Sequence, residues 1–214
     1  MAYLMTTTRR TFRRISEKER RTSLIAATQE CIVQGGISAV TMRRIAEFAE
    51  VTPGLVRHYF VDKNALICEA HRATMSSMTS HVRNTLDDQQ GTAIERLRLL
   101  VRSSLTPPVM QPRNHQLWTS FCSLINSVPD IADTHRESYL EYRRECEHII
   151  KAVFAELDRE ISEREIVCHA TAVNALIDGL WVEGCLAIDL FEDGELVSLG
   201  VTSVENLLGI NQSL

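Results

Sequence analysis

The stretch TMRRIAEFAEVTPGLVRHYF, residues 41–60, constrains the fold of this chain more than any other. Thr41 can cap a short helix, MRRIAEFA. Thr52 can cap another that begins with Pro53, whose missing N–H is not needed in a first turn. Only EVT separates the two. Two short helices so closely joined, the second with its own cap, describe a helix-turn-helix. Ile45 and Ala49 turn inward on the first. Val56 and Phe60 lie one turn apart on the second and join the same core, which leaves Pro53, Gly54, Arg57 and His58 on the other side.

The surroundings extend the pattern. Ser16 followed by Glu19 has capping-box spacing, and ERRTSLIAATQECIVQGG then runs amphipathically to Gly35-Gly36, where a left-handed helix end is cheap. A longer helix is predicted from Asp62-Lys63 to about Asp88. Others follow at roughly 91–105, 113–127, 133–158, 162–191 and 195–209, punctuated by TPPVMQP, SVPD, the Ser162 cap and EDGE. Apolar residues recur at three- and four-residue intervals, and alternating β-branched runs are few, so the expected fold class is all-α. Residues 1–16 read as a basic, flexible arm, 17–63 as a helix-turn-helix DNA-binding domain, and 64–214 as a ligand-binding and dimerisation domain.

Charge is divided unevenly. Residues 1–63 hold 11 Lys and Arg against 6 Asp and Glu, whereas residues 64–214 hold 12 against 22. A basic end on an acidic body docks on a polyanion while the body is repelled by it. No apolar run reaches the roughly 18 residues that span a bilayer, and the N-terminus has no apolar stretch long enough for a secretory signal, so the expected location is the cytoplasm and no membrane partner is expected. Cysteines 31, 68, 122, 146, 168 and 185 stand singly, which suits reduced, mostly packing residues.

Arg57 can make a bidentate contact to guanine in a major groove, and Pro53 and Gly54 leave a small, flat helix end beside it. The Thr41 and Thr52 hydroxyls, Arg43, Arg44, His58, the Tyr59 hydroxyl and Lys63 supply donors for phosphate, together with two helix dipoles. Arg9, Arg10, Arg13 and Arg14 form either an arm on the DNA or a solubilising tail.

GGISAVTMRRIAEFAEVTPGLVRHYFVDKNAL resembles the DNA-binding segment of the TetR family of bacterial transcriptional regulators. The likeness lies in the glycine after helix one, the threonine before helix two, the Val-Thr-Pro-Gly opening of helix three and the aromatic-to-Asp-Lys passage into helix four. It implies an all-helical homodimer whose paired recognition helices read a pseudo-palindromic operator. It also implies base contacts by Arg43, Pro53, Gly54 and Arg57, and phosphate contacts by Thr41, His58, Tyr59 and Lys63. Where the family usually has a turn glycine this chain has Glu50, which costs of order 1 kcal/mol if a positive φ is required. His-Tyr-Phe followed by Asp-Lys-Asn, and NALIDGLWVEG at 174–184, are similar to the branch that regulates choline uptake and glycine betaine synthesis.

In the body, Trp118, Phe121 and Leu124-Ile125 share one helix, Tyr139 and Tyr142 the next. Asn174, Asp178 and Trp181 place amide, carboxylate and indole on one face of another. Such a set can line a pocket for an organic cation, choline or a related quaternary amine, through cation–π contact and a carboxylate; aromatics at this spacing equally serve as plain core. Trp118, Phe121, Tyr142, Asn174, Asp178 and Trp181 are the candidate ligand residues. Ala170, Val173, Ile177, Gly184, Leu207 and Leu208 form a stripe on the last two helices that suits a four-helix dimer interface.

ECEH at 145–148 and CH at 168–169 do not repeat a ligand pair at zinc-site spacing, and no phosphate loop or nucleophile motif appears. The expectation is therefore no enzyme, no metal and no cofactor, but a repressor with a small-molecule inducer. Choline-linked genes are one target, and an efflux or catabolic operon with a different inducer is the alternative.

Overall fold

The computed structural model describes residues 16–210, so the expected arginine arm lies outside the described residues. Among these there are nine α-helices and no strand: α1 Glu17–Gly35, α2 Met42–Phe48, α3 Pro53–Tyr59, α4 Lys63–Asp87, α5 Ala93–Ser104, α6 Pro112–Cys122, α7 Pro129–Glu156, α8 Glu163–Leu186 and α9 Glu195–Leu208. Short 3-10 turns at Ile37–Ala39 and Ile188–Leu190 complete the order. No described helix is long and apolar enough to cross a membrane.

Local chemistry accounts for most helix starts. Ser16 and Glu19 close a reciprocal capping box, and Thr92 with Glu95 and Ser162 with Glu165 do the same for α5 and α8. Asp62 accepts the Ala65 N–H at 2.9 Å and so fixes the first turn of α4. α1 ends at Gly36 with φ +68°, which an L side chain rarely adopts, and a Cβ on Gly35 would meet the Ala39 Cβ at 2.6 Å. Both glycines are needed for the chain to fold back so closely into α2.

Three boundaries differ from the sequence expectation. α7 begins at Pro129 and not near 133, because proline fits the first turn and here opens a helix. α6 stops at Cys122, where the Ser123 and Ser127 hydroxyls bond the nearby carbonyls of Ser120 and Leu124 in a run of turns. α8 stops at Leu186, although apolar spacing continues through Leu190.

Two apolar cores lie along α4. Leu66, Ile67 and Ala70 pack with Leu24, Ile32, Ile45 and Val56, and this core also takes Leu117 and Phe121 from α6 and Ile131 from α7. Farther along, Val82 and Leu86 join α5, the second half of α7, α8 and α9. One continuous helix thus belongs to both cores.

The stripe expected to meet a second copy needs correction. Ala170, Val173, Ile177, Gly184 and Leu208 are buried within the chain, and of the six only Leu207 is exposed. α8 packs against α7, α5, α6 and α9, so its larger apolar face is already used. A Cβ on Gly184 would meet the side chains of Leu196 and Met110 at 2.6 and 2.7 Å. The opposite face of α8 carries Cys168, Ala172, Ala175, Gly179, Val182 and Leu186 at helical spacing. A Cβ on Gly179 would meet nothing within 4 Å. Leu186, Ile188 and Leu190 at the end of α8 and just beyond it, and Leu199 and Leu207 on α9, add exposed apolar side chains.

Candidate functional site

The helix-turn-helix is held from inside and open outside. Ile45 and Val56 are fully buried, Phe60 nearly so and Ala49 half-buried. Phe60 sits one residue beyond α3, with the Arg21 guanidinium 4.5 Å over its ring, and Arg21 also donates to the Tyr59 carbonyl at 3.1 Å. α1 thereby clamps the end of α3.

Thr41, Arg43, Thr52, Pro53, Gly54, Arg57, His58 and Lys63 are exposed, while Arg44 and Tyr59 are half-buried. The Thr41 hydroxyl oxygen accepts the Arg44 N–H at 3.1 Å, and that of Thr52 accepts the Leu55 N–H at 3.3 Å. Each hydroxyl keeps its own hydrogen for an outside acceptor. Arg43 pairs with Glu47 at 3.1 Å in an exposed i, i+4 contact, weak enough to be exchanged for another anion. Arg44 lies toward the Phe48 ring, 5.8 Å from its centroid. Among the described residues Arg57 has neither an ion pair nor a hydrogen bond, and its fork is unoccupied.

Glu50 takes φ +52°, the left-handed conformation that a glycine would adopt freely. The helix end closes normally around it: Glu50 N–H donates to Glu47 O at 3.2 Å and Val51 N–H to Ala46 O at 2.9 Å. The turn has the geometry a glycine would give and carries strain instead. Glu50→Gly is expected to raise unfolding stability by up to about 1 kcal/mol, strain relief exceeding the added freedom of the unfolded chain. Glu50→Val should lower it, and denaturant midpoints for both variants check the pair.

The second site is a cavity between α4, α5, α6, α7 and α8. Its enclosed space is small, about 90 Å³, and it opens to solvent at a mouth. Trp118, Tyr142, Asn174, Asp178 and Trp181 line it, as the sequence pattern anticipated, together with Tyr139. The indoles of Trp118 and Trp181 meet edge to face at 5.7 Å. Trp181 Nε1–H points to the Val109 carbonyl at 3.4 Å. Ser104 donates to Leu100 O at 2.8 Å, so at its 2.8 Å contact with Tyr142 the phenol is the donor.

Phe121 is the exception among the six. It is fully buried in the core below the cavity and does not line it, because its position on α6 turns it toward His71 on α4. Sequence reading also missed lining residues. Met75, Met78, Thr79 and Val82 form one face of α4, and Val109, His135 and Ser138 complete the wall. The helical spacing of the α4 set was visible, but the same spacing describes ordinary core.

Asp178 is the cavity's single lining carboxylate. Asp178 is exposed over part of its surface and shares the lining with apolar residues such as Val82, Val109 and Ile177. Burial pushes its pKa up to about 6, opposed by the hydrogen bond it accepts from Asn174 Nδ2 at 3.0 Å. It is the lining group able to hold a negative charge near neutral pH, in a cavity that Trp118, Tyr139, Tyr142 and Trp181 also line. Among the described residues no group of three or more His, Cys, Asp or Glu is placed to hold a metal ion.

Comparison with known proteins agrees with both halves. Residues 24–70 match the family model of bacterial regulatory proteins, tetR family, and residues 93–209 match that of the BetI-type transcriptional repressor, C-terminal. The HTH-type transcriptional regulator BetI of Escherichia coli is 30% identical over 173 residues, covering 78% of this chain and 83% of that protein. A candidate transcriptional regulator from Pseudomonas aeruginosa PAO1 superposes with TM-score 0.85 and 27% identity, over 94% of this chain and 95% of that one. Another from Saccharomonospora viridis, solved in complex with choline, shares the fold at TM-score 0.70 and 19% identity, over 91% and 98% of the two chains.

Proposed function

Since the chain belongs to the TetR family of bacterial transcriptional regulators, with a BetI-type repressor C-terminal domain, we propose that it is a homodimeric repressor released from its operator by an organic cation. Choline or a related quaternary amine is the inducer this reading favours. The observation that carries it is the placement of an aromatic cavity with one carboxylate directly against α4, the helix whose first half belongs to the helix-turn-helix core. A quaternary ammonium has no proton to donate, so rings and a carboxylate recognise it, at roughly 0.5–2 kcal/mol per aromatic contact. A solved protein of the same fold holds choline, and the BetI-type match covers the cavity residues from Ser104 to Trp181, with the α4 wall lying before it.

In this reading Arg57 reads bases beside Pro53 and Gly54, with Arg43 next to them. Thr41, Arg44, Thr52, His58, Tyr59 and Lys63 hold phosphate. The occupied cavity separates α4 from α7 and α8 and changes the spacing of the two recognition helices, which must sit about one DNA turn apart to bind. An effector acts only through differential affinity for the two arrangements.

The test is an electrophoretic shift on DNA upstream of the chain's own gene, with and without choline. A specific complex that choline dissolves supports the reading. Failure to bind that DNA, or a complex indifferent to choline, betaine aldehyde and glycine betaine alike, would sink the choline assignment. Carboxylate chemistry adds a pH prediction. Because the Asp178 pKa is raised to about 6, the charged form that attracts a cation is present above this value and is lost below it. Calorimetric affinity for choline should fall as pH drops through about 6, and Asp178→Asn should be weak and flat over the same interval.

A further inference from the structure

One hydrogen bond between two imidazoles crosses the seam of α4 and α7. His71 Nε2 and His135 Nδ1 lie 3.1 Å apart. His71 is fully buried, its Nδ1 has no partner, and Phe121 packs edge-on against it with ring centroids 4.7 Å apart, joining it to the core that contains Val56. His135 is half-buried and forms part of the cavity wall. Burial holds the His71 pKa down at about 4, helped by His135 and Arg72, and lowers that of His135 too. Both rings are therefore neutral near pH 7.

Two neutral imidazoles sharing one bond have two proton arrangements. In the first, His71 carries its proton on Nε2 and donates it to His135 Nδ1. His71 Nδ1 is then only a buried lone pair, and His135 has its own proton on Nε2. In the second, His135 donates from Nδ1 to His71 Nε2, so the His71 proton sits on the buried Nδ1 with no acceptor. Orphaned buried N–H groups are rarer than orphaned acceptors, and the first arrangement is the resting one.

We propose that this pair is a tautomeric trigger, in which an effector that donates a hydrogen bond to His135 Nε2 forces the second arrangement and parts α4 from α7. The exchange takes place in the opened seam, where water reaches both rings: as a water proton arrives at His71 Nδ1, the shared proton passes from His71 Nε2 to His135 Nδ1 and the proton on His135 Nε2 leaves to water. The pair therefore holds two protons before and after, and the His71 Nδ1–H has water as its acceptor only while the seam stays open. The closed seam is thus penalised only when a donor occupies the cavity, which is the differential affinity an inducer requires. The proposal rests on the effector reading of the cavity and deepens it: the inducing class is a cation that also carries a hydroxyl or N–H donor, and a cation of similar head without one binds silently.

The test uses the full-length protein, nitrogen NMR of its imidazoles, calorimetry for binding, and anisotropy for operator affinity. Without ligand, both rings should be protonated on Nε2; a His71 proton on Nδ1 would overturn the trigger outright. Saturating choline should weaken operator binding about 5- to 150-fold, the usual span of allosteric coupling. Saturating tetramethylammonium should change it less than about twofold. His71→Phe should bind choline as the parent does, yet respond less than about twofold. A full response from that variant, or full release by tetramethylammonium, would also overturn it. Absence of choline binding in calorimetry would count against the cation reading of the cavity instead, and the ligand-free imidazole spectrum would still decide the pair.

Discussion

Arg57→Ala should cut affinity for the specific operator on the order of 100-fold or more, with almost no change in thermal stability. The guanidinium is exposed and has no partner among the described residues, so its removal leaves no unpaired group behind and belongs with surface substitutions worth within about 0.5 kcal/mol. On DNA the position is different. A bidentate contact to guanine is worth about 1–3 kcal/mol of discrimination, and a dimer makes it twice. The loss should therefore appear against the operator and largely vanish against scrambled DNA of equal length.

Lys63→Ala provides the contrast. Lys63 is the exposed first residue of α4, and in the proposed complex it contacts phosphate and not base edges. It should weaken operator and scrambled DNA alike and lower the salt slope by about one. Equal loss on both DNAs for Arg57→Ala would remove it from base reading. Arg43→Ala should fall between the two, since its ion pair with Glu47 must first be exchanged.

The N-terminal elements were legible because their signals are local. Thr41, Thr52 and Asp62 each bond a backbone N–H three residues on, and such spacing is visible in a linear chain. The strain at Glu50 was legible by another route, the resemblance to a family that usually has a glycine at this turn. Five of the six cavity candidates were found because amide, carboxylate and aromatic groups on one helical face are unusual in a plain core. Phe121 was misplaced because helical spacing says which residues share a face and not which neighbour that face meets. His71 and His135, 64 residues apart in sequence, offered no such spacing at all.

The dimer surface shows the same limit more sharply. α8 has two candidate faces, and the more apolar of them, Ala170 to Gly184, drew the sequence assignment. Burial energy favours using the larger apolar face within the chain, which leaves the smaller-residue row outermost, and under the proposed homodimer that row is the partner surface. Ala175 and Gly179 let two helices approach closely, and the exposed leucines at the end of α8 and on α9 supply apolar area around them.

Gly179→Arg follows from that assignment and should have the largest effect of any single substitution here. Within one chain a side chain at this position meets open space, and replacing a mid-helix glycine gains up to about 1 kcal/mol of helix propensity. The isolated fold should therefore melt no lower than the parent. In a symmetric dimer the change occurs twice about the same axis, and the two arginines face each other where the parent has two bare backbones. Sedimentation should show a monomer, and operator affinity should fall by about 10²–10⁴, the advantage that joining two half-site readers confers. Choline binding, which needs only the cavity of one chain, should persist. A variant that stays dimeric and binds its operator normally would place the partner surface elsewhere, whereas one that loses dimer, operator and choline together would show that the α8 outer row supports the fold itself.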